Sequence, residues 1–137
     1  MKIAIVKLSA LGDIIHALFI LQFIKKYNDE IMIDWIVEED YKDLLEFHPD
    51  INKVHTINLK KAKKKKSPYL FLQEIKNVRK LGVYDLVIDL QGLIKSALIS
   101  RLITSTVTLG FDKSSAKEGL ASIFYNKKFK YAYEKNI

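Results

Sequence analysis

Asp13 follows Gly12 in the opening stretch KIAIVKLSALGDII, residues 2–15. Ile3, Ala4, Ile5 and Val6 form an unbroken apolar run. Ser9, Ala10, Leu11 and Gly12 interrupt it, and a helical apolar pattern starts at Ile14. A strand, a tight turn and a helix at the head of a chain read as the start of a doubly wound α/β domain. Such domains bind ligands beyond the carboxyl ends of their strands. An ionised carboxylate at that edge can take a proton from an alcohol. The same carboxylate would also favour the helix dipole or cap free N–H groups, by about 0.3–1 kcal/mol. The two uses are compatible. The turn holds a single glycine, and neither a G-x-G-x-x-G nor a P-loop pattern is present.

Three further groups carry possible chemistry. His16 lies one helical turn from Asp13, close enough to orient it or touch a substrate. A histidine among Ile14, Ile15 and Ala17 equally suits a structural hydrogen bond. The stretch DLQGLIKS, residues 89–96, follows a second buried strand and should open on the same sheet edge. Gln91 and Lys95 there suit hydroxyl and anion contacts; alternatively Gly92 serves only the turn and Ser96 caps the next helix. Lys60, Lys61, Lys63, Lys64, Lys65 and Lys66 place six cations in seven residues. They read as a solvated loop, a nucleic-acid contact or a lipid-phosphate contact. No arginine or aromatic residue is interleaved for base readout or stacking. No His, Asp or Glu stands at a convincing metal-ligand spacing with His16, so no metal or cofactor is expected. His48 and His55 look incidental.

These groups need elements to hold them. Ile3 to Lys7 reads as a central parallel strand, covered on both faces. Ile14 to Lys26 reads as a helix that is apolar nearly all round, and so buried between layers. Strands follow at Ile31 to Val37 and Lys53 to Leu59, with a short helix from Tyr41 to Phe47 between them. The lysine segment reads as a connection. Ser67 and Pro68 open a helix that Gly82 closes. Tyr84 to Leu90 is a second buried strand, Ser96 to Ile103 a short helix, and Thr106 to Leu109 a fifth strand. Beyond Gly110 the pattern weakens, although 119–125 suits one or two helical turns. This alternation predicts a three-layer α/β domain with a mainly parallel sheet and right-handed crossovers.

The 137 residues suffice for one domain with a real core, 1–137. Apolar residues make up 49% and charged residues 28%, a globular composition. Cysteine is absent, which excludes disulfides and thiol chemistry. No apolar run reaches the roughly 18 residues that span a bilayer, and the N-terminus lacks the layout of a signal peptide. The chain therefore reads as cytoplasmic. The net charge of +7 is local: without the six lysines, 17 basic residues face 16 acidic ones.

KLSALGDIIHAL, DWIVEE, VIDLQGLIKSALISRL and GFDKSSAKEGLASIFYNKKF occur in this order along nearly the whole chain. Together they resemble successive segments of the lipopolysaccharide heptosyltransferases. The resemblance implies the Rossmann-like N-terminal lobe of a GT-B glycosyltransferase, the lobe that receives the acceptor. It implies transfer of heptose from ADP-heptose to a Kdo sugar of the lipid A inner core, with inversion. Asp13 would be the general base, presented by Ser9, Ala10 and Gly12. The segment holding Lys60, Lys61, Lys63 and Lys64 would meet acceptor phosphates. Lysine replaces the arginine and tryptophan common there, so bidentate contacts are lost. Lys117 stands where the family tends to carry an arginine facing the cleft.

The resemblance further implies a linker and a donor-binding C-terminal domain beyond Ile137. The expectation is that this polypeptide lacks that domain, folds, and does not transfer sugar alone. The implied partners are a Kdo–lipid A acceptor, ADP-heptose through the other lobe, and the anionic inner face of the inner membrane. Nucleic acid is not expected. The competing expectation is a non-catalytic Rossmann-like module that docks on anionic lipid or on a separate donor lobe.

Overall fold

A computed structural model describes residues 1–111 and the backbone of the short strand 127–129. The strands are β1 (Lys2–Val6), β2 (Met32–Glu38), β3 (Lys53–Ile57), β4 (Val83–Asp89), β5 (Thr104–Phe111) and β6 (Lys127–Phe129). The helices are α1 (Leu11–Ala17), α2 (Phe19–Tyr27), α3 (Lys42–Leu45), α4 (Leu59–Lys64), α5 (Pro68–Arg79) and α6 (Ile94–Leu102). A 3₁₀ turn, Glu39–Tyr41, precedes α3. The sheet runs β3-β2-β1-β4-β5-β6, and every neighbouring pair is parallel.

β1 is central because both of its faces are apolar. Ile3 and Ile5 point into one core with Ile33, Trp35 and Val37 of β2, under Ile14, Leu21 and Leu45 of α1, α2 and α3. Ala4 and Val6 point into the other with Ile36 and Val87, over Leu59, Val78 and Ile99 of α4, α5 and α6. Strand alternation thus divides one run of apolar residues between two helical layers. Register places Val6 between Ile36 and Asp89. From β1 the chain crosses to β2 on one side and later returns to β4 on the other. Their carboxyl ends therefore diverge on either side of β1, the switch point where open α/β sheets form a crevice.

The expected strands and most helices are present, with shifted ends. Three expectations need correction. The helix expected over Ile14 to Lys26 is two helices beginning at Leu11, and it is not buried all round. Leu21 is fully buried, whereas Phe19, Phe23 and Tyr27 are exposed. Only one sheet face is available to cover this pair, so the outer aromatic side meets water. The lysine segment is largely helix α4 rather than a connection. Asn58 Oδ1 accepts from Lys61 N at 3.1 Å, and Leu59 and Ala62 are buried beneath the helix. The cap and these two apolar residues suffice to hold a helix whose other positions are solvated lysines. Finally, β6 extends the sheet where no strand was expected. The helical turns expected over 119–125, and residues 130–137, lie outside the described residues.

The α5 boundaries match the sequence. Ser67 Oγ accepts from Leu70 N at 3.2 Å, Pro68 fills the first turn, and Gly82 follows the helix with φ +110°.

A polar cluster ties β2, β3 and β4 together. Asp34 Oδ2 accepts from the Tyr84 hydroxyl at 2.6 Å and lies 3.2 Å from His55 Nε2. Asp34 Oδ1 accepts from Asn52 Nδ2 at 3.0 Å. Burial pushes the Asp34 carboxyl upward, but the bonds from Tyr84, Asn52 and His55 outweigh it and leave it below its ordinary value. The Tyr84 hydroxyl is pushed up, first by burial and then by Asp34. His55, incidental in sequence, belongs to this cluster.

Asp34 therefore stabilises the fold above the ordinary carboxyl range, and that contribution is lost as pH falls through its depressed native value. Asp34→Asn should flatten the acid limb of urea stability followed from about pH 5 to about pH 2. Leu21→Ala should cost about 2–5 kcal/mol in urea denaturation. Phe23→Gln should stay within about 0.5 kcal/mol, because its ring is already in water.

Candidate functional site

Two loops meet at the switch point, one after β1 and one after β4. The β4 loop is wound around buried Asp89. Its Oδ1 accepts from Gln91 N at 2.8 Å and Gly92 N at 3.3 Å, and Ser96 Oγ lies 3.0 Å from its Oδ2. Ser96 Oγ also accepts from Leu93 N at 3.1 Å, which starts α6. Gly92 has φ +74°, so a glycine suits this turn. Gln91 then crosses the gap. Its Oε1 accepts from Leu8 N at 3.2 Å and Ser9 N at 3.4 Å, and its Nε2 lies 3.5 Å from Ser9 Oγ.

The β1 loop is thereby held in place where α1 begins. Ala10 precedes the helix in extended conformation and supplies no side-chain cap. Asp13 is the third helical residue and is exposed. A Cβ built on Gly12 would meet nothing within 4 Å, so Gly12 itself faces open space. Ala10 and His16 are also exposed and Ser9 is half-buried. The structure thus gathers Ser9, Ala10, Gly12, Asp13 and His16 at one edge. Gln91 and Gly92 are buried, and the Gln91 amide fastens the Ser9 loop.

The lysines do not act as one group. Lys60, Lys63 and Lys66 line an open groove together with Lys95 of α6, over a floor of Leu59, Ala62, Pro68 and Phe71. Lys61 and Lys64 turn to the other side of α4, beside Asp40 and Asn58. Lys60 is tethered, with Nζ 3.4 Å from both Asp40 Oδ2 and the Tyr41 hydroxyl and 4.9 Å from the Tyr41 ring centre. Both α4 and α6 start at the carboxyl ends of parallel strands, so the groove opens on the same edge as Asp13. Lys117 lies outside the described residues. Among the described residues no cluster of three His, Asp or Glu could hold a metal.

Sequence reasoning missed Glu38. It closes β2, is 2% exposed, and its N–H donates to Leu8 O at 3.1 Å. Burial raises its carboxyl above the ordinary value, against the opposing pull of Lys95, Lys60 and the N–H groups of Leu59 and Lys60. Its Oε1 is buried without a hydrogen-bond partner among the described residues. The signal was present: the even spacing from Asp34 turns Glu38 inward on the same face, while Glu39 and Asp40 lie past the strand.

Residues 72–137 match the family model for glycosyltransferase family 9 (heptosyltransferase). The chain is 45% identical over 137 residues to lipopolysaccharide heptosyltransferase 1 of Campylobacter coli, covering 100% of this chain and 38% of that protein. Its fold superposes with TM-score 0.89 on the E. coli heptosyltransferase WaaC with ADP-2-deoxy-2-fluoro heptose, at 34% identity, over 99% of this chain and 44% of that one. The E. coli ADP-heptose lps heptosyltransferase II shares the fold with TM-score 0.71 at 19% identity. The chain thus spans well under half the length of these proteins.

Gln91→Ala leaves the buried Leu8 N–H and the half-buried Ser9 N–H without their acceptor, a loss of about 1–3 kcal/mol. Hydrogen exchange at Leu8 and Ser9 should quicken by about tenfold or more, with protection of β2 and β3 retained.

Proposed function

We propose that this chain, which belongs to glycosyltransferase family 9, the heptosyltransferases, forms the acceptor-binding lobe of an inverting enzyme. The observation that carries this reading is the exposed residue Asp13 on the first turn of α1, at the switch point. A lysine-lined groove opens along the same edge. Asp13 takes the proton from an acceptor hydroxyl as its oxygen attacks the anomeric carbon. The bond to the nucleoside diphosphate breaks on the opposite side, so one in-line step inverts the centre and needs no covalent intermediate. The fixed Ser9 loop keeps the base in place.

The proposed acceptor is a Kdo sugar of the lipid A inner core and the proposed donor ADP-heptose, bound by a second lobe. Lys60, Lys63 and Lys95 meet acceptor phosphates, with Lys61 and Lys64 adding charge from the other side of α4. Lysine gives point-charge rather than bidentate contacts. No helix among the described residues is long and apolar enough to cross a membrane. We place the protein at the inner face of the inner membrane, held by its lysines.

In an enzyme that joins this region to a donor-binding lobe, Asp13→Ala should lower kcat by about 10²–10⁴-fold with unchanged circular dichroism. Near-normal turnover would remove Asp13 as the base. Replacing Lys63 to Lys66 with alanine should weaken sedimentation with lipid A-containing vesicles, and added salt should narrow the difference.

A further inference from the structure

We propose that the lysine-lined groove and the apolar slot adjoining it form one site for a phosphate-bearing alkyl chain. The phosphate lies on the lysines and the chain end lies between α5 and α6. This rests on the anion-binding reading of the groove given above, and it names the chemical class of ligand that the groove takes.

The groove has a volume of about 600 Å³. The adjoining slot is more enclosed and holds a cavity of about 20 Å³. Leu59, Phe71 and Lys95 line both, so groove and slot meet at these side chains. Ile75 and Val78 of α5 and Leu98, Ile99 and Leu102 of α6 wall the slot. Glu74 also lines the slot, and its carboxylate would repel a phosphate there. The phosphate therefore stays with the groove cations. Lys60 is held by Asp40 and Tyr41, which leaves Lys63, Lys66 and Lys95 to meet it.

A phosphate alone gains nothing from an apolar floor. Here the floor is Leu59, Ala62, Pro68 and Phe71, and among the described residues no carboxylate or amide side chain lines the groove. Ser67 also lines it, but its Oγ already accepts from Leu70 N. Sugar hydroxyls would find few partners on such a floor, whereas methylene groups leave water on contact with it. The lysine stems extend the apolar walls while their ammonium groups stay at the rim. Phe71 is 40% exposed where groove and slot meet. A chain lying against it covers apolar surface that faces water, and its end enters space that the packing of α5 on α6 leaves unfilled.

The probes are monoalkyl phosphates from butyl to octyl, with inorganic phosphate as the head alone and octyl glucoside as the chain alone. They are titrated into the 137-residue chain at one pH, below micelle-forming concentrations, while affinity, ¹³C-methyl signals and lysine Nζ signals are followed. Affinity should rise about two- to fourfold per added methylene. The methyl signals of Ile75, Leu98 and Leu102 should shift together with the Nζ signals of Lys63, Lys66 and Lys95. Octyl glucoside should bind far more weakly than octyl phosphate. Leu98→Phe fills the slot, so it should lower octyl phosphate affinity by about tenfold and leave inorganic phosphate unchanged. If the lysines respond equally to inorganic and octyl phosphate, the inference is overturned and the groove reading stands. If no lysine responds to either, both fall. Equal binding of octyl glucoside overturns the inference, as do slot methyl signals that shift with protein concentration alone, which would mark a second copy as the occupant. Should Leu98→Phe not fold, the wild-type methyl signals decide alone.

Discussion

A parallel sheet that starts in its middle strand must part its strand ends, and everything at this site depends on how that gap is closed. Here the Gln91 amide closes it, with its oxygen on Leu8 and Ser9 N–H and its nitrogen toward the Ser9 hydroxyl. Gln91 is itself held through its own N–H by Asp89, which also organises Gly92 and Ser96. The chain of bonds thus runs from the end of β4, across the crevice, to the loop that carries Asp13. An exposed carboxylate on the first turn of a seven-residue helix with no side-chain cap would otherwise be poorly fixed. The buried fastener lets Asp13 remain exposed without becoming loose.

The parts of this design that could be read from sequence are those set by local chemistry. Unbroken apolar runs at Ile3 to Val6 and in YDLVIDL announced the two central strands, because burial on both faces removes alternation. Ser67–Pro68 and Gly82 marked α5, because caps act within a few residues. What escaped was set at a distance. Whether Phe23 is covered depends on how many layers pack over α2, which a helical pattern does not state. Whether Gln91 touches ligand or backbone depends on a loop 82 residues earlier. The helical state of the lysine segment hinged on Asn58 and on two small apolar anchors among like charges, a pattern easily read as solvated chain.

Helix α4 also sorts charges that looked equivalent. With one side anchored by Leu59 and Ala62, its lysines are spread by helical rotation over a groove side and an outer side, with Lys60 lining both. Only the groove set meets Lys95, which comes from another element altogether. Six like charges in seven residues repel one another. Tethers such as Asp40 and Tyr41 on Lys60 relieve some of that repulsion. These exposed contacts are individually weak, so they add little to the stability of the fold.

The contrast between Asp34 and Glu38 shows where the molecule tolerates incomplete pairing. Both are buried carboxylates on β2, four residues apart on the same face. Asp34 lies toward the strand's beginning, away from the crevice. It receives bonds from Tyr84, Asn52 and His55 that more than offset its burial. Glu38 lies at the tip, where one oxygen lacks a partner and burial outweighs the attraction of its neighbours. A carboxylate kept only for stability would gain by full pairing, as Asp34 does. Incomplete pairing costs free energy in the unliganded protein, and it falls at the edge where ligands of such sheets bind.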